Sequence, residues 1–195
     1  MQPKVVIYLH GFNSSPQSFK AQQTIAFFKT HYPNISLIVP QLALTPLAAW
    51  QQIDTLVNEY QEYDIGFIGS SLGGFFATLL ANKYHAPAVL INPAVWPHQI
   101  IDLLIGQYTN PYTGDIHQVT KAHGDELARL QFHTIYDVES LWVLLQTEDE
   151  TLDYRKAITC YEGARMTIEP QGDHSFVGFN RYLNSIVEFL FKNSP

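Results

Sequence analysis

Six short apolar runs, Lys4–Leu9, Ile35–Val39, Asp64–Ile68, Ala88–Asn92, Leu141–Gln146 and Arg165–Glu169, recur at spacings that leave room for a helix between them. Their near-continuous apolarity predicts strands buried on both faces of a parallel sheet. Between the first two, Ala21, Ile25, Phe28 and Tyr32 fall at helical spacing and give one apolar stripe. A second helix is expected after Thr45, a capping residue, with Pro46 in its first turn and Leu47, Trp50, Ile53, Val57 and Tyr60 on one face. Phe179, Leu183, Ile186 and Leu190 repeat the pattern near the C-terminus, and Cys160 falls in a further helix as a packing residue. The βαβ alternation predicts an α/β fold of about six parallel strands with helices on both faces, in one domain over 1–195.

One connection breaks the rhythm. Residues 96–139 stand between two strands where a single helix would suffice, and they read as a cap inserted over the sheet. The segment holds apolar Ile100, Ile101, Leu103 and Leu104, a turn-like Asn110-Pro111-Tyr112-Thr113-Gly114, and a second helix around Asp125–Leu130.

Composition narrows the classes. Eleven Lys and Arg against 18 Asp and Glu give a net charge of −7, so a basic face for nucleic acid is not expected. The one cysteine forbids an internal disulfide and suits a reducing, cytoplasmic setting. The apolar start of the chain is shorter than a signal-peptide core, and the long uncharged stretch Ile65–Asn82 is interrupted by Gly66, Gly69, Gly73 and Gly74, which favours strand, turn and helix over a membrane span. Eight histidines with no H-x-H or H-x-x-x-H pair give no metal site, and His117, His123 and His133 of the insertion read as solvated.

The chemistry concentrates in three places. Gly69-Ser70-Ser71-Leu72-Gly73 lies between an expected strand and an expected helix, which is the context of a nucleophile elbow. Only Ser71 has glycines two positions to either side, which such a strained turn needs; Ser70 is left a structural hydroxyl. At the end of the first strand, His10-Gly11-Phe12-Asn13 stands where a second oxyanion donor belongs, so the N–H groups of Phe12 and Leu72 are the candidate pair. His10 precedes the serine, against the order Ser, acid, His of such folds, and reads as a loop-ordering residue. His174, in Gly172-Asp173-His174 between the last strand and helix, is the candidate base. Glu148, Asp149, Glu150 and Asp153 beyond the fifth run are the candidate acids.

With these motifs the chain resembles the YqiA-type bacterial esterases, a small branch of the α/β-hydrolase superfamily. The resemblance covers nearly the whole chain and rests on Tyr8–Pro16, Gly69–Gly74, Ile91–Val95, Asn110–Gly114 and Asp149–Arg155. It implies a Ser71, Asp149, His174 triad, hydrolysis of carboxylic esters or thioesters, and no cofactor. Glu148 stands where such sequences tend to have Gly, and Asp173 where an Asn is common; both add negative charge that would raise the imidazole pKa. Side-chain reach also favours Asp149, because Glu148 and Glu150 have longer arms and Asp153 is expected inside a helix opening around Leu152.

The reading is a serine hydrolase acting on a small acyl ester or thioester, with no nucleic-acid or membrane partner. Acyl transfer on the same triad, and a non-catalytic binding protein on a hydrolase scaffold, are its rivals. Asn13, Asn92, Trp96 and Tyr108 are the candidate pocket residues.

Overall fold

The computed structural model describes residues 2–192. Strands β1 (Lys4–Leu9), β2 (Ile35–Ile38), β3 (Asp64–Ser70), β4 (Ala88–Ile91), β7 (Leu141–Gln146) and β8 (Arg165–Glu169) form one parallel sheet in the order β2-β1-β3-β4-β7-β8. All six expected strands are present.

Alternate side chains of the central strands enter two separate cores, which is why no polar alternation marks them in the sequence. Ile7 and Leu9 of β1, Leu90 of β4, and Val143 and Leu145 of β7 join one face. That face is covered by α2 (Pro46–Asn58), α3 (Leu72–Tyr84), α4 (Lys121–Leu130) and α5 (Tyr154–Cys160). Val6 and Tyr8, Val89 and Ile91, Trp142 and Leu144 join the other, under α1 (Phe19–His31) and α6 (Leu183–Leu190). Phe179, Leu183, Ile186 and Leu190 are buried as their spacing predicts.

Thr45 caps α2, its side chain accepting from the Ala48 N–H, and Pro46 opens the helix. The buried stripe of α2 is Pro46, Ala49, Ile53 and Val57; Leu47 is exposed, a correction to the expected face. Small Ala49, invisible to a count of bulky apolar residues, sets the helix rotation instead.

The segment expected as a cap, residues 96–139, lies between β4 and β7. It consists of a 3-10 helix (Pro97–Leu103), an antiparallel hairpin of β5 (Gly106–Thr109) and β6 (Ile116–Val119), and α4. The hairpin went unread in the sequence. Asn110 closes it by accepting from the Tyr112 and Thr113 N–H groups, and its amide donates to the Ser14 carbonyl. Asn13 adds a bond to the Thr109 carbonyl, so the insertion is clipped to the loop after β1. The α4 helix starts four residues before the expected Asp125, because His123 completes a capping box with Thr120. It packs on the 3-10 helix so closely that a Cβ on Gly124 would fall 2.6 Å from Ile101.

Among the described residues, no helix is long and apolar enough to cross a membrane.

Candidate active site

The chain turns from β3 into α3 at Ser71, whose backbone sits at φ 56° and ψ −122°. An L-residue reaches this region only at a cost, and here the surroundings fix it. The Ser71 N–H donates to the Ile91 carbonyl, and its own carbonyl accepts from Gly74 and Ala94. The flanking glycines leave no room for side chains: a Cβ on Gly69 would fall 2.2 Å from the Gly73 carbonyl oxygen, and one on Gly73 2.1 Å from that of Leu9.

The loop after β1 passes beside this turn, where a Cβ on Gly11 would stand 3.6 Å from Ser71 Oγ. Leu72 is the first residue of α3, so its N–H is one that the helix itself cannot satisfy. His10 braces the β1 loop from beneath. Its Nδ1 donates to the Gly11 carbonyl and its Nε2 accepts from the Leu42 N–H, a pattern that needs the neutral ring. Burial lowers its pKa, outweighing the bond to Gly11. His10 is therefore a clip between loops, as its place in the chain order suggested.

His174 Nε2 lies 3.0 Å from Ser71 Oγ, and His174 Nδ1 lies 2.8 Å from Asp149 Oδ2 and 2.9 Å from Oδ1. The Asp149 side chain is only 2% exposed, against 22% for His174. Asp149 Oδ1 also accepts from the Thr151 and Leu152 N–H groups at 2.8 Å, which fixes the carboxylate in its turn. Glu150 takes a different part: its carboxylate accepts from the backbone N–H of His174 at 3.0 Å. Its own backbone N–H, and then the bond from His174, hold the Glu150 pKa below the usual carboxylate value. Glu148 is exposed. Asp153 is the N-cap of α5, accepting from Arg155 N, rather than a residue within the helix as expected; the helix opens one residue after it, at Tyr154.

Two buried amides, of which sequence reasoning missed one and misplaced the other, hold the 170–178 loop under His174. Gln146, the last residue of β7, accepts from the Asp173 and Val177 N–H groups through Oε1 and donates to the Val177 carbonyl and Glu169 through Nε2. A Cβ on Gly172, at φ 83°, would overlap that amide. Asn92 donates to the Asp173 and His174 carbonyls and accepts from Gln146 N. Asn92 was expected in the pocket, but its hydrogen bonds turn it toward the histidine loop. Only a full hydrogen-bond accounting finds such residues; nothing in their local sequence marks them.

An apolar cavity opens beside the Gly11–Phe12 backbone and Leu72, running between α2 and the insertion. Its empty volume, with the open mouth counted in, is about 870 Å³. Ala49, Phe76, Ile101, Leu104, Val119 and Leu127 are among its walls, and Asn13 stands on its rim of polar residues. Trp96 and Tyr108 do not line it. Trp96 lines an adjoining cleft with Leu152 and Lys156, which shares Ala94, Pro97 and Ile100 with the cavity, while Tyr108 packs edge-on against the ring of Phe12 at 5.1 Å. His117 and His123 are half-buried on the cavity wall rather than solvated, because His117 stacks on Tyr108 and His123 caps α4; His133 is exposed as expected. Among the described residues no cluster of His, Cys, Asp and Glu could hold a metal ion.

Solved structures share this architecture. The mouse alpha/beta hydrolase domain-containing protein 10 matches with a TM-score of 0.74 at 16% identity, over 97% of this chain and 90% of that one. Est1E from Butyrivibrio proteoclasticus matches with a TM-score of 0.71 at 14% identity, over 98% and 88%. The monoacylglycerol lipase of Paleococcus ferrophilus gives 0.70 at 14%, over 99% and 96%. At these identities the likeness establishes an α/β-hydrolase fold. A family model covers residues 5–191, so the chain, whose motifs resemble the YqiA-type esterases, belongs to the Uncharacterised protein family UPF0227.

Proposed function

We propose that this protein is a serine hydrolase that cleaves carboxylic esters or thioesters through an acyl-enzyme on Ser71. The observation that carries the reading is the unbroken chain of hydrogen bonds from Ser71 Oγ through His174 to the buried Asp149 carboxylate, set on a strained elbow. Structural neighbours that bear esterase and lipase names are consistent with it.

With its proton on Nδ1 and facing Asp149, His174 presents a lone pair on Nε2 to the Ser71 hydroxyl. Nε2 takes that proton as Oγ attacks the acyl carbonyl, and Asp149 stabilises the imidazolium that results. The tetrahedral oxyanion is met by the backbone N–H groups of Phe12 and Leu72. His174 then protonates the departing alcohol or thiol, and water attacks the acyl-enzyme by the same steps in reverse. The apolar cavity beside Leu72 takes the acyl chain, so the substrates are esters or thioesters of an aliphatic acid.

A fluorophosphonate probe tests the reading. Stoichiometric labelling at Ser71, lost in Ser71→Ala and kept in Ser70→Ala, is the expected result, together with a fall in p-nitrophenyl ester hydrolysis of about 10⁴-fold or more in Ser71→Ala. Absence of both labelling and turnover would leave the fold a binding scaffold, and turnover unchanged in Ser71→Ala would place the nucleophile elsewhere.

A further inference from the structure

The loop that carries His174 is crowded with negative charge. Asp173 precedes the histidine, Asp149 faces its ring, and Glu150 holds its backbone N–H. Asp173 Oδ1 is buried with no hydrogen-bond partner, an arrangement that is costly for a carboxylate unless a positive charge stands near. Arg181, on the short 3-10 helix Phe179–Tyr182 that follows the loop, is committed to Glu169, and Arg155 to Asp153.

A further cation comes from α1. Lys20, the second residue of that helix, is half-buried, and its ammonium donates to the Ser175 carbonyl at 2.7 Å. It lies within the electrostatic reach of both Asp173 and Asp149, yet it makes no ion pair with either. A lysine that gives up hydration for one carbonyl bond needs another reason to be there, and the two carboxylates supply it.

We propose that Lys20 is a positioning residue of the Ser71 site: it ties the His174 loop to α1 through Ser175 and offsets the charge of Asp173 and Asp149 around the imidazole. The proposal rests on the serine-hydrolase reading above. Burial pulls the lysine pKa down to about 8 against the attraction of Asp173 and Asp149, so the ammonium stays charged through the acid and neutral range. In that range the carboxylates, if unopposed, would favour a protonated imidazole, which cannot take the Ser71 proton. The added charge of Asp173, conspicuous in the sequence, thus meets a counter-charge from Lys20, 153 positions earlier in the chain.

The pH dependence of kcat/KM for a p-nitrophenyl ester, measured on the full chain, tests this. Lys20→Met moves the acid limb to higher pH by about half a unit or more and lowers the plateau kcat roughly tenfold with KM little changed. Lys20→Gln, which keeps a donor without the charge, moves the limb with a smaller loss of kcat, and Lys20→Arg leaves the limb in place. Asp173→Asn alone moves the limb to lower pH, and in Lys20→Met it returns the limb toward wild type. A limb that stays put in Lys20→Gln and in Asp173→Asn, whatever happens to overall activity, overturns the proposal and leaves Lys20 a structural residue. Fluorophosphonate labelling of wild-type Ser71 separates the two failures: labelled enzyme with an unmoved limb sinks Lys20 alone, whereas unlabelled enzyme sinks the hydrolase reading and this proposal with it.

Discussion

Gly73 meets the main chain of Leu9 so closely that a methyl group in place of one hydrogen would fall 2.1 Å from the Leu9 carbonyl oxygen. The obstacle is backbone at the end of β1, an inner strand of the sheet, which cannot swing aside as a side chain could. Gly73→Ala should therefore displace α3 and the elbow, at a cost of about 3 kcal/mol or more and a Tm lower by roughly 6–12 °C. Ser71→Ala should melt within a few degrees of wild type, since it removes one hydroxyl and keeps the backbone. A thermal melt of the two variants side by side decides the matter; a Gly73→Ala protein as stable as wild type would show that the elbow yields.

The two neighbouring acids divide the work at His174, and their variants should separate accordingly. In Asp149→Asn the remaining oxygen still accepts from Thr151 and Leu152, so the turn survives while the new NH₂ faces Nδ1 and favours the wrong tautomer. Turnover should fall by about 10⁴-fold with KM little changed. Glu150→Gln keeps an oxygen for the His174 N–H and should lose less than about tenfold, as should Glu148→Gln; Glu150→Ala should lose more, because that N–H is left without its partner. Near-normal rates in Asp149→Asn would move the acid elsewhere.

The buried His10 makes folding stability depend on pH. Its pKa is lowered in the folded chain, so over the window between that value and about 6.5 the unfolded chain binds more protons than the folded one. Stability is complete above that window and is lost as pH falls through it, when protonation breaks the bond from Leu42 N to Nε2. Urea unfolding at pH 7 and pH 5 should show wild type losing more than His10→Gln over the same interval, with the variant about 1–3 kcal/mol less stable at pH 7. Parallel losses in the two proteins would place the pH dependence elsewhere.

Much of this was legible in the sequence, and for a common reason. Strands β1, β4 and β7 are buried on both faces, so they appear as unbroken apolar runs; the elbow needs glycine where any side chain would strike backbone. What stayed hidden depends on partners remote in the chain. The β5–β6 hairpin alternates half-buried and exposed positions over four residues a strand, too weak a pattern to read. Gln146 closes an apparently ordinary apolar strand, and Lys20 lies in the first turn of an ordinary helix, yet both converge on the loop of His174. Trp96 is large, but the apolar cavity is built mainly from smaller aliphatic residues, with Phe12 and Phe76, and from Ala49, whose contribution is the space it leaves.

That cavity carries the last prediction. Leu104 is half-buried on the insertion side of its wall, so truncation takes apolar surface away from a bound chain without opening a hole in the main core. A side chain that touches only the distal part of an acyl group contributes to long substrates and not to short ones, at about 0.8 kcal/mol for each methylene group that it shields from water. Leu104→Ala should therefore lower kcat/KM for the p-nitrophenyl esters long enough to reach it by roughly 10- to 50-fold, with acetate hydrolysis within about twofold of wild type. Trp96→Ala supplies the contrast, because Trp96 is not on the wall of this cavity but on the adjoining cleft beside Leu152, and should leave the chain-length profile unchanged in shape. If Leu104→Ala lost the same factor on every ester, the cavity would not be the acyl site; if Trp96→Ala reshaped the profile instead, the chain would run toward the acid loop and the two clefts would exchange roles.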